Sequence, residues 1–120
     1  MILALLLQAG YSVLVPYNVL RYDIAFDDCG QLKRVQVKTG NLVKGAVTFR
    51  PYSAPPNGKR RYYTSDEVDY YGVWCSELDQ GYLVPLAGGG ERCCSLRVDP
   101  TKNGQEKGIR WARDFEISPL

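Results

Sequence analysis

The chain has 120 residues and no histidine, and that absence removes whole classes of chemistry before any position is weighed. Without an imidazole there is no Ser-His-Asp or Cys-His nucleophile pair, no histidine general base and no zinc site of the His-containing types. What remains is chemistry run on carboxylates, Lys, Tyr, Cys or a metal held by carboxylate oxygens. The four cysteines (Cys29, Cys75, Cys93 and Cys94) contain no C-x-x-C, and two adjacent thiols cannot both serve in the usual short-loop zinc geometry. They are expected to be free thiols in a reducing, cytoplasmic setting. The residues whose types and spacing fit a reaction are Asp23, Gln36 and Lys38.

Those three depend on one hairpin. Residues 20–26 alternate around Tyr22, Ile24 and Phe26, Asp28-Cys29-Gly30 has turn chemistry, and residues 32–39 alternate again with Val35 and Val37. If Cys29 and Gly30 are the two loop residues, paired positions sum to 59 and Asp23 faces Gln36 across the ladder. Lys38, two residues on, shares the face of Gln36, while Ile24, Phe26, Val35 and Val37 point to the core. A carboxylate, an amide and an ammonium then converge on one polar patch. Periodicity by itself favours a solvated strand face of Arg34, Gln36 and Lys38 with Asp23 as a cross-strand charge partner. Asp27 and Asp28 read as turn residues.

Around the hairpin the chain reads as one domain, 1–120. Residues 1–9 suit a helix closed by Gly10, although its apolar start carries no Ser, Thr or Asp cap. The opening MILALLL is far short of a membrane span and has no basic flank. Strands are expected at 11–15, 43–49 (after turn residues Gly40 and Asn41), 68–75, 82–86 and 96–98, a proline-rich loop at 51–61, and a terminal helix at 109–116. Gly88-Gly89-Gly90 is a turn and not a phosphate loop, since no Gly-Lys-Ser/Thr follows it. Fifteen Lys and Arg against 13 Asp and Glu give a net charge of +2, which permits a nucleic-acid partner without demanding one.

Tyr22-Asp23 followed by Gln36-Val37-Lys38, on consecutive strands after a helix and a strand, resembles the core of the PD-(D/E)XK nuclease superfamily. It is most similar to the variant group with Gln-x-Lys that includes homing endonucleases of group I introns. The likeness extends to Val15-Pro16, to Arg34 through Thr39, to Asp69-Tyr70-Tyr71, to Tyr82-Leu83-Val84-Pro85 and to Ile109-Arg110-Trp111-Ala112, and so spans most of the chain. The resemblance implies an α/β fold with a restriction-endonuclease-like core, a mixed central β-sheet flanked by helices and a short first helix. It implies a Mg²⁺ or Mn²⁺ ion held by Asp23, Gln36 and the backbone carbonyl of Val37, with Lys38 orienting or activating the attacking water, and an endonuclease that hydrolyses DNA phosphodiester bonds. Members of this group usually carry a Glu on the first helix, and here no acid precedes Asp23. Either the numbered chain begins downstream of the usual start or the site lacks that acid.

For DNA contact the most basic stretch supplies Lys44, Arg50, Lys59, Arg60 and Arg61, interleaved with Tyr62 and Tyr63. Asp66, Glu67 and Asp69 follow at once and dilute its field, Asp69 being expected to be structural. The expected partners are DNA and further copies of the chain, a homodimer or higher, because cutting both strands needs two sites. Two other readings share this core: a degenerate module that binds nucleic acid or a protein without cutting, and a Holliday-junction resolvase.

Overall fold

The hairpin forms in the expected register. In the computed structural model, which describes residues 1–18, 20–54, 58–87, 90–100 and 109–117, strand β2 (Ile24–Asp28) pairs antiparallel with β3 (Gln31–Val43), Ile24 opposite Val35 and Asp28 opposite Gln31. Cys29 and Gly30 both have positive φ, 53° and 89°, as a two-residue type I′ turn requires. The Asp27 carboxylate accepts the Gly30 N–H at 2.9 Å and closes the turn.

Strand β3 is the spine of the domain. Its first residues pair with β2. Residues 35–40 run parallel to β7 (Tyr70–Cys75), and residues 41–43 pair antiparallel with β4 (Ala46–Thr48). Short β1 (Val13–Leu14) extends the sheet beyond β2, β8 (Gln80–Pro85) pairs with β7, and β9 (Ser95–Arg97) pairs with β4, giving a mixed seven-stranded sheet. Gly40 and Asn41, expected in a turn, lie inside β3. A Cβ on Gly40 would sit 2.7 Å from Cγ1 of both Val47 and Val73, so glycine here serves close packing where the strand changes partners. The turn falls instead at Lys44 and Gly45, whose φ values are 50° and 78°.

Both faces of the sheet are covered. On one lies α1 (Ile2–Gln8), a helix too short to persist alone. Burial of Ile2 and Leu6 against Ile24, Phe26 and Val35 holds it. It approaches closely because Gly72 and Gly81 lie beneath it: a Cβ on Gly72 would be 2.9 Å from Ile2 and from Val35, and one on Gly81 would collide with Leu5. On the other face Tyr71, Val73, Tyr82 and Val84 pack with Val47, Phe49, Tyr63 and Leu96.

Two further expectations change. The stretch 109–116 is a 3₁₀ turn, Ala112–Phe115, flanked by single bridges of Trp111 to Arg97 and Glu116 to Tyr82. Its apolar residues Ile109, Ala112 and Phe115 are three apart, which suits a period of three as well as an α-helix, and the sheet captures the backbone on both sides. The stretch 51–61 is not purely loop: β5 (Tyr52–Ser53) and β6 (Arg61–Tyr62) form their own two-stranded sheet, with the Tyr52 and Tyr62 rings 5.4 Å apart. Pro55, Pro56 and Asn57 lie outside the described residues, as do Gly88 and Gly89; Gly90 opens a 3₁₀ turn, Gly90–Arg92. Among the described residues no helix is long and apolar enough to cross a membrane, and all four cysteines are free.

Because Gly72 is pinned between helix and strand side chains, Gly72→Ala is expected to destabilise the fold by about 1–3 kcal/mol, the usual cost of overpacking. Leu7→Ala, at a side chain 54% exposed, should stay within about 0.5 kcal/mol of the parent. Urea unfolding of the two variants checks the contrast.

Candidate active site

Asp23 sits one residue ahead of β2, where the hairpin register carries it opposite Gln36. Its N–H donates to the Val35 carbonyl at 2.9 Å. One carboxylate oxygen, Oδ2, accepts both the Gln36 side-chain amide and the Val37 backbone N–H, each at 3.1 Å. The Val37 N–H therefore faces the Asp23 edge of β3, and in an extended strand the carbonyl of the same residue lies on that edge too. Asp23 is exposed, while Gln36 and Val37 are half-buried.

Lys38 shares this face and is drawn inward. Its ammonium donates to the Tyr52 carbonyl at 3.0 Å and lies 4.8 Å from the centre of the Tyr63 ring. Burial pushes the Lys38 ammonium below its ordinary range; Asp23 opposes that shift, and Arg21 and Arg50 add to it. The four groups brought together are thus a carboxylate, an amide, a backbone edge and a held cation.

Arg21 was not among the residues singled out by sequence, yet it builds the floor of the site. Its guanidinium donates to Glu67 Oε2 (3.2 Å), to Ser53 Oγ (2.9 Å) and to the Tyr62 carbonyl (3.3 Å), and covers the Tyr63 ring at 4.0 Å. It ties the β5–β6 hairpin, which carries the acceptor for Lys38, to the segment that carries Asp23. Its partners lie 32 to 46 residues away in sequence, beyond the reach of local periodicity.

From Lys38 a cleft of about 1040 Å³ runs along β4 and β5. Its lining includes Lys38, Arg50, Arg60 and Arg92 and no carboxylate. Of the residues expected to touch nucleic acid, Arg50 and Arg60 line this cleft. Arg61 does not line it and has its guanidinium on Glu67 at 3.0 Å, Lys59 is exposed beside Arg60, and Lys44 sits at the β3–β4 turn, roughly 20 Å along the strand from Lys38 at about 3.3 Å per residue. Arg92 lines the cleft too, 3.9 Å from the Tyr62 ring, and no neighbouring basic residue marks it in the sequence.

Two of the three acids that dilute this field in the sequence, Glu67 and Asp69, are diverted in the fold. Glu67 accepts from Arg21 and Arg61. Asp69 takes both arms of Arg34, Nε to Oδ2 at 3.1 Å and Nη2 to Oδ1 at 3.2 Å, and also the Arg34 backbone N–H at 2.8 Å. Arg34 is therefore not merely solvated on the face it shares with Gln36 and Lys38: it clamps β3 to the start of β7. The structural part expected of Asp69 is that clamp.

A divalent ion is implied by the likeness drawn from sequence, and the donors can be weighed for it. Asp23 offers a charged oxygen, Gln36 an amide oxygen once its amide turns over, and Val37 a carbonyl. Among the described residues no three Asp, Glu or Cys side chains gather to hold a metal, and α1 has no acid in its first turn. An all-oxygen set with one carboxylate suits Mg²⁺, which keeps several waters and shares its shell with substrate phosphate.

The family model described as PD-(D/E)XK endonuclease matches residues 1–118. The chain belongs to that family. Among solved structures it is similar to a bacterial homing endonuclease, I-Ssp6803I, with a TM-score of 0.65 and 22% identity over 96% of this chain and 82% of that one. No curated protein matches it. The nuclease family and the restriction-endonuclease-like fold read from the sequence are thereby shown, in a strand-dominated form with one short α-helix among the described residues.

The Arg34–Asp69 clamp makes a pH-dependent contribution to this family core. Burial of the Asp69 carboxylate pushes it up, but the hydrogen bonds and charge of Arg34 outweigh that and hold it below its ordinary value. A depressed carboxylate stabilises the fold above its unfolded value near 3.8, and the contribution is lost as pH falls through the folded value. Arg34→Gln should thus lower stability near neutral pH by about 1 kcal/mol, both groups being partly exposed. It should also flatten the fall in urea midpoint between about pH 5 and about pH 2. A variant that tracks the parent over that range removes the clamp from the account.

Proposed function

We propose that this chain is a metal-dependent endodeoxyribonuclease whose reacting groups are Asp23, Gln36, the Val37 carbonyl and Lys38. The observation that supports the reading is that Asp23 is held by Gln36 and the Val37 N–H while Lys38, one residue on, lines a cleft whose other charged lining groups are arginines. Asp23, Gln36 and the Val37 carbonyl would hold Mg²⁺ or Mn²⁺, which when bound supplies positive charge to the phosphate and lowers the pKa of a bound water.

The chain's own groups divide the rest of the work. Lys38 spends one of its three donors on the Tyr52 carbonyl, so two remain for a nonbridging phosphate oxygen or the incoming water. Being held beforehand, it stabilises charge growing on phosphorus without reorganising. Gln36 donates to Asp23 in this state; turning its amide would present the oxygen and leave the Val37 N–H to keep Asp23 in place. With one charged ligand, cation affinity in the absence of DNA is weak and rises when substrate phosphate joins the shell. Cutting both strands of a duplex would take two copies of the chain.

The single carboxylate is also what a non-cutting relative would show, and one assay separates the two. Nicking of supercoiled plasmid in Mg²⁺ or Mn²⁺ is expected from the wild-type chain. Asp23→Asn keeps an oxygen for the two N–H groups and removes the charge, so it should reduce nicking by about 100-fold or more. Its stability should move by less than about 0.5 kcal/mol, since the side chain is exposed. Lys38→Ala should also lose nicking. A chain that binds DNA but never nicks it belongs to the non-cutting reading. Wild-type rates in Asp23→Asn would remove Asp23 from the site.

Calorimetry gives a second check. Mg²⁺ added to the DNA-free chain should give little heat, and Gln36→Glu, which supplies a second charged oxygen, should tighten binding.

A further inference from the structure

We infer that Arg60 and Arg92 are phosphate-positioning residues, held on tyrosine faces so that their free N–H edges grip the backbone of the nucleic acid strand lying in the cleft. The inference rests on the nuclease reading and extends it to how the substrate is seated.

Three arginines near the site are spent on the fold: Arg21 and Arg61 on Glu67, and Arg34 on Asp69. Among the described residues Arg60 and Arg92 are in no ion pair, are exposed, and line the cleft. Neither hangs free. The Arg60 guanidinium lies 4.5 Å from the Tyr52 ring and that of Arg92 lies 3.9 Å from the Tyr62 ring, and the two rings pack on each other across β5 and β6. A guanidinium against an aromatic face keeps its in-plane donors available and loses less freedom when it binds, which suits two-pronged recognition of phosphate.

The mounts are themselves anchored. The Tyr52 carbonyl holds the Lys38 ammonium, and Arg21 donates to the Tyr62 carbonyl. Next to Arg92, the Glu91 carbonyl accepts the hydroxyl of buried Tyr71 at 2.6 Å. The Glu91 carboxylate accepts from Ser65 at 3.0 Å. Two cations on one aromatic pair, with Lys38 bonded to the backbone of one member of that pair, would form a track for a polyanion leading to the candidate reacting groups. A single small anion would not need two such mounts.

The test is duplex DNA binding by the wild-type chain in EDTA, which prevents cutting, followed by fluorescence anisotropy over a salt series. Each lost phosphate contact should flatten the slope of log affinity against log salt by about 0.9, so Arg60→Gln and Arg92→Gln should each do so. Arg113→Gln removes the same charge from an arginine stacked on Trp111 outside the cleft and should leave the slope unchanged. Arg60→Lys and Arg92→Lys keep the charge and lose the planar mount. They should retain the slope while affinity falls about two- to five-fold, and they serve as the decisive pair should a Gln variant melt early. A wild-type slope in both Gln variants, or in the Lys pair an affinity equal to the parent's, overturns this inference and leaves the nuclease reading standing. If the wild-type chain shows no salt-dependent DNA binding at all, the nuclease reading falls and this inference with it.

Discussion

Everything in the candidate site is referred to one register, that of β2 on β3, and that register is set by two residues with positive φ at the tip of the hairpin. A slip by one position would turn Ile24, Phe26 and Val35 out of the core that holds α1, so the apolar face and the turn enforce the same pairing. The chemistry follows from the pairing. Asp23 lands beside Gln36 and the Val37 N–H because the strand is already fixed by burial on its other face. The candidate groups are positioned by packing and turn geometry, while their own hydrogen bonds only fine-tune them.

Strand β3 turns that local arrangement into a domain. It pairs antiparallel, then parallel, then antiparallel again along 13 residues, so the site, the β7–β8 pair and the β4–β9 arm all hang on one segment. Three glycines make this possible by their lack of a side chain: Gly40 where the strand changes partners, and Gly72 and Gly81 where the short helix meets the sheet. The helix contributes burial alone, with no capping side chain and no acid in its first turn. In this structure it covers the far side of the site strands and adds no group to the site.

What could be read from the sequence was whatever a short window decides. The turn at Cys29-Gly30, the alternation about Val35 and Val37, and the shared face of Gln36 and Lys38 are properties of neighbouring residues, and they gave the hairpin and the convergence of the site. Gly40 misled because a glycine needed for close packing has the same letter as one needed for a turn, and only the approach of Val47 and Val73 tells them apart. The stretch 109–116 misled because a spacing of three fits two helix types, and the sheet bridges at Trp111 and Glu116 made the choice. Arg21, Arg92 and the β5–β6 pair were illegible for a different reason. Their roles depend on partners tens of residues away, and no local pattern marks an arginine that will be spent on a carboxylate against one that will stay free.

That distinction between spent and free cations resolves the weak electrostatics of the sequence. A net charge of +2 and a basic stretch followed by three acids suggest a shallow field. The fold sorts the charges instead: Glu67 and Asp69 are neutralised by Arg21, Arg61 and Arg34 on the structural side, and Lys38, Arg50, Arg60 and Arg92 face the cleft without an acid among them. A site with only one carboxylate beside such a cleft is electrostatically unfinished until a polyanion enters. On the proposed reading, incoming phosphates would satisfy these cations and complete the ligand shell of an ion at Asp23, and substrate binding and metal binding would then support each other. On that reading the cleft would match the sparse ligand set, and the same charge separation that steadies the fold would prepare the site for a polyanion.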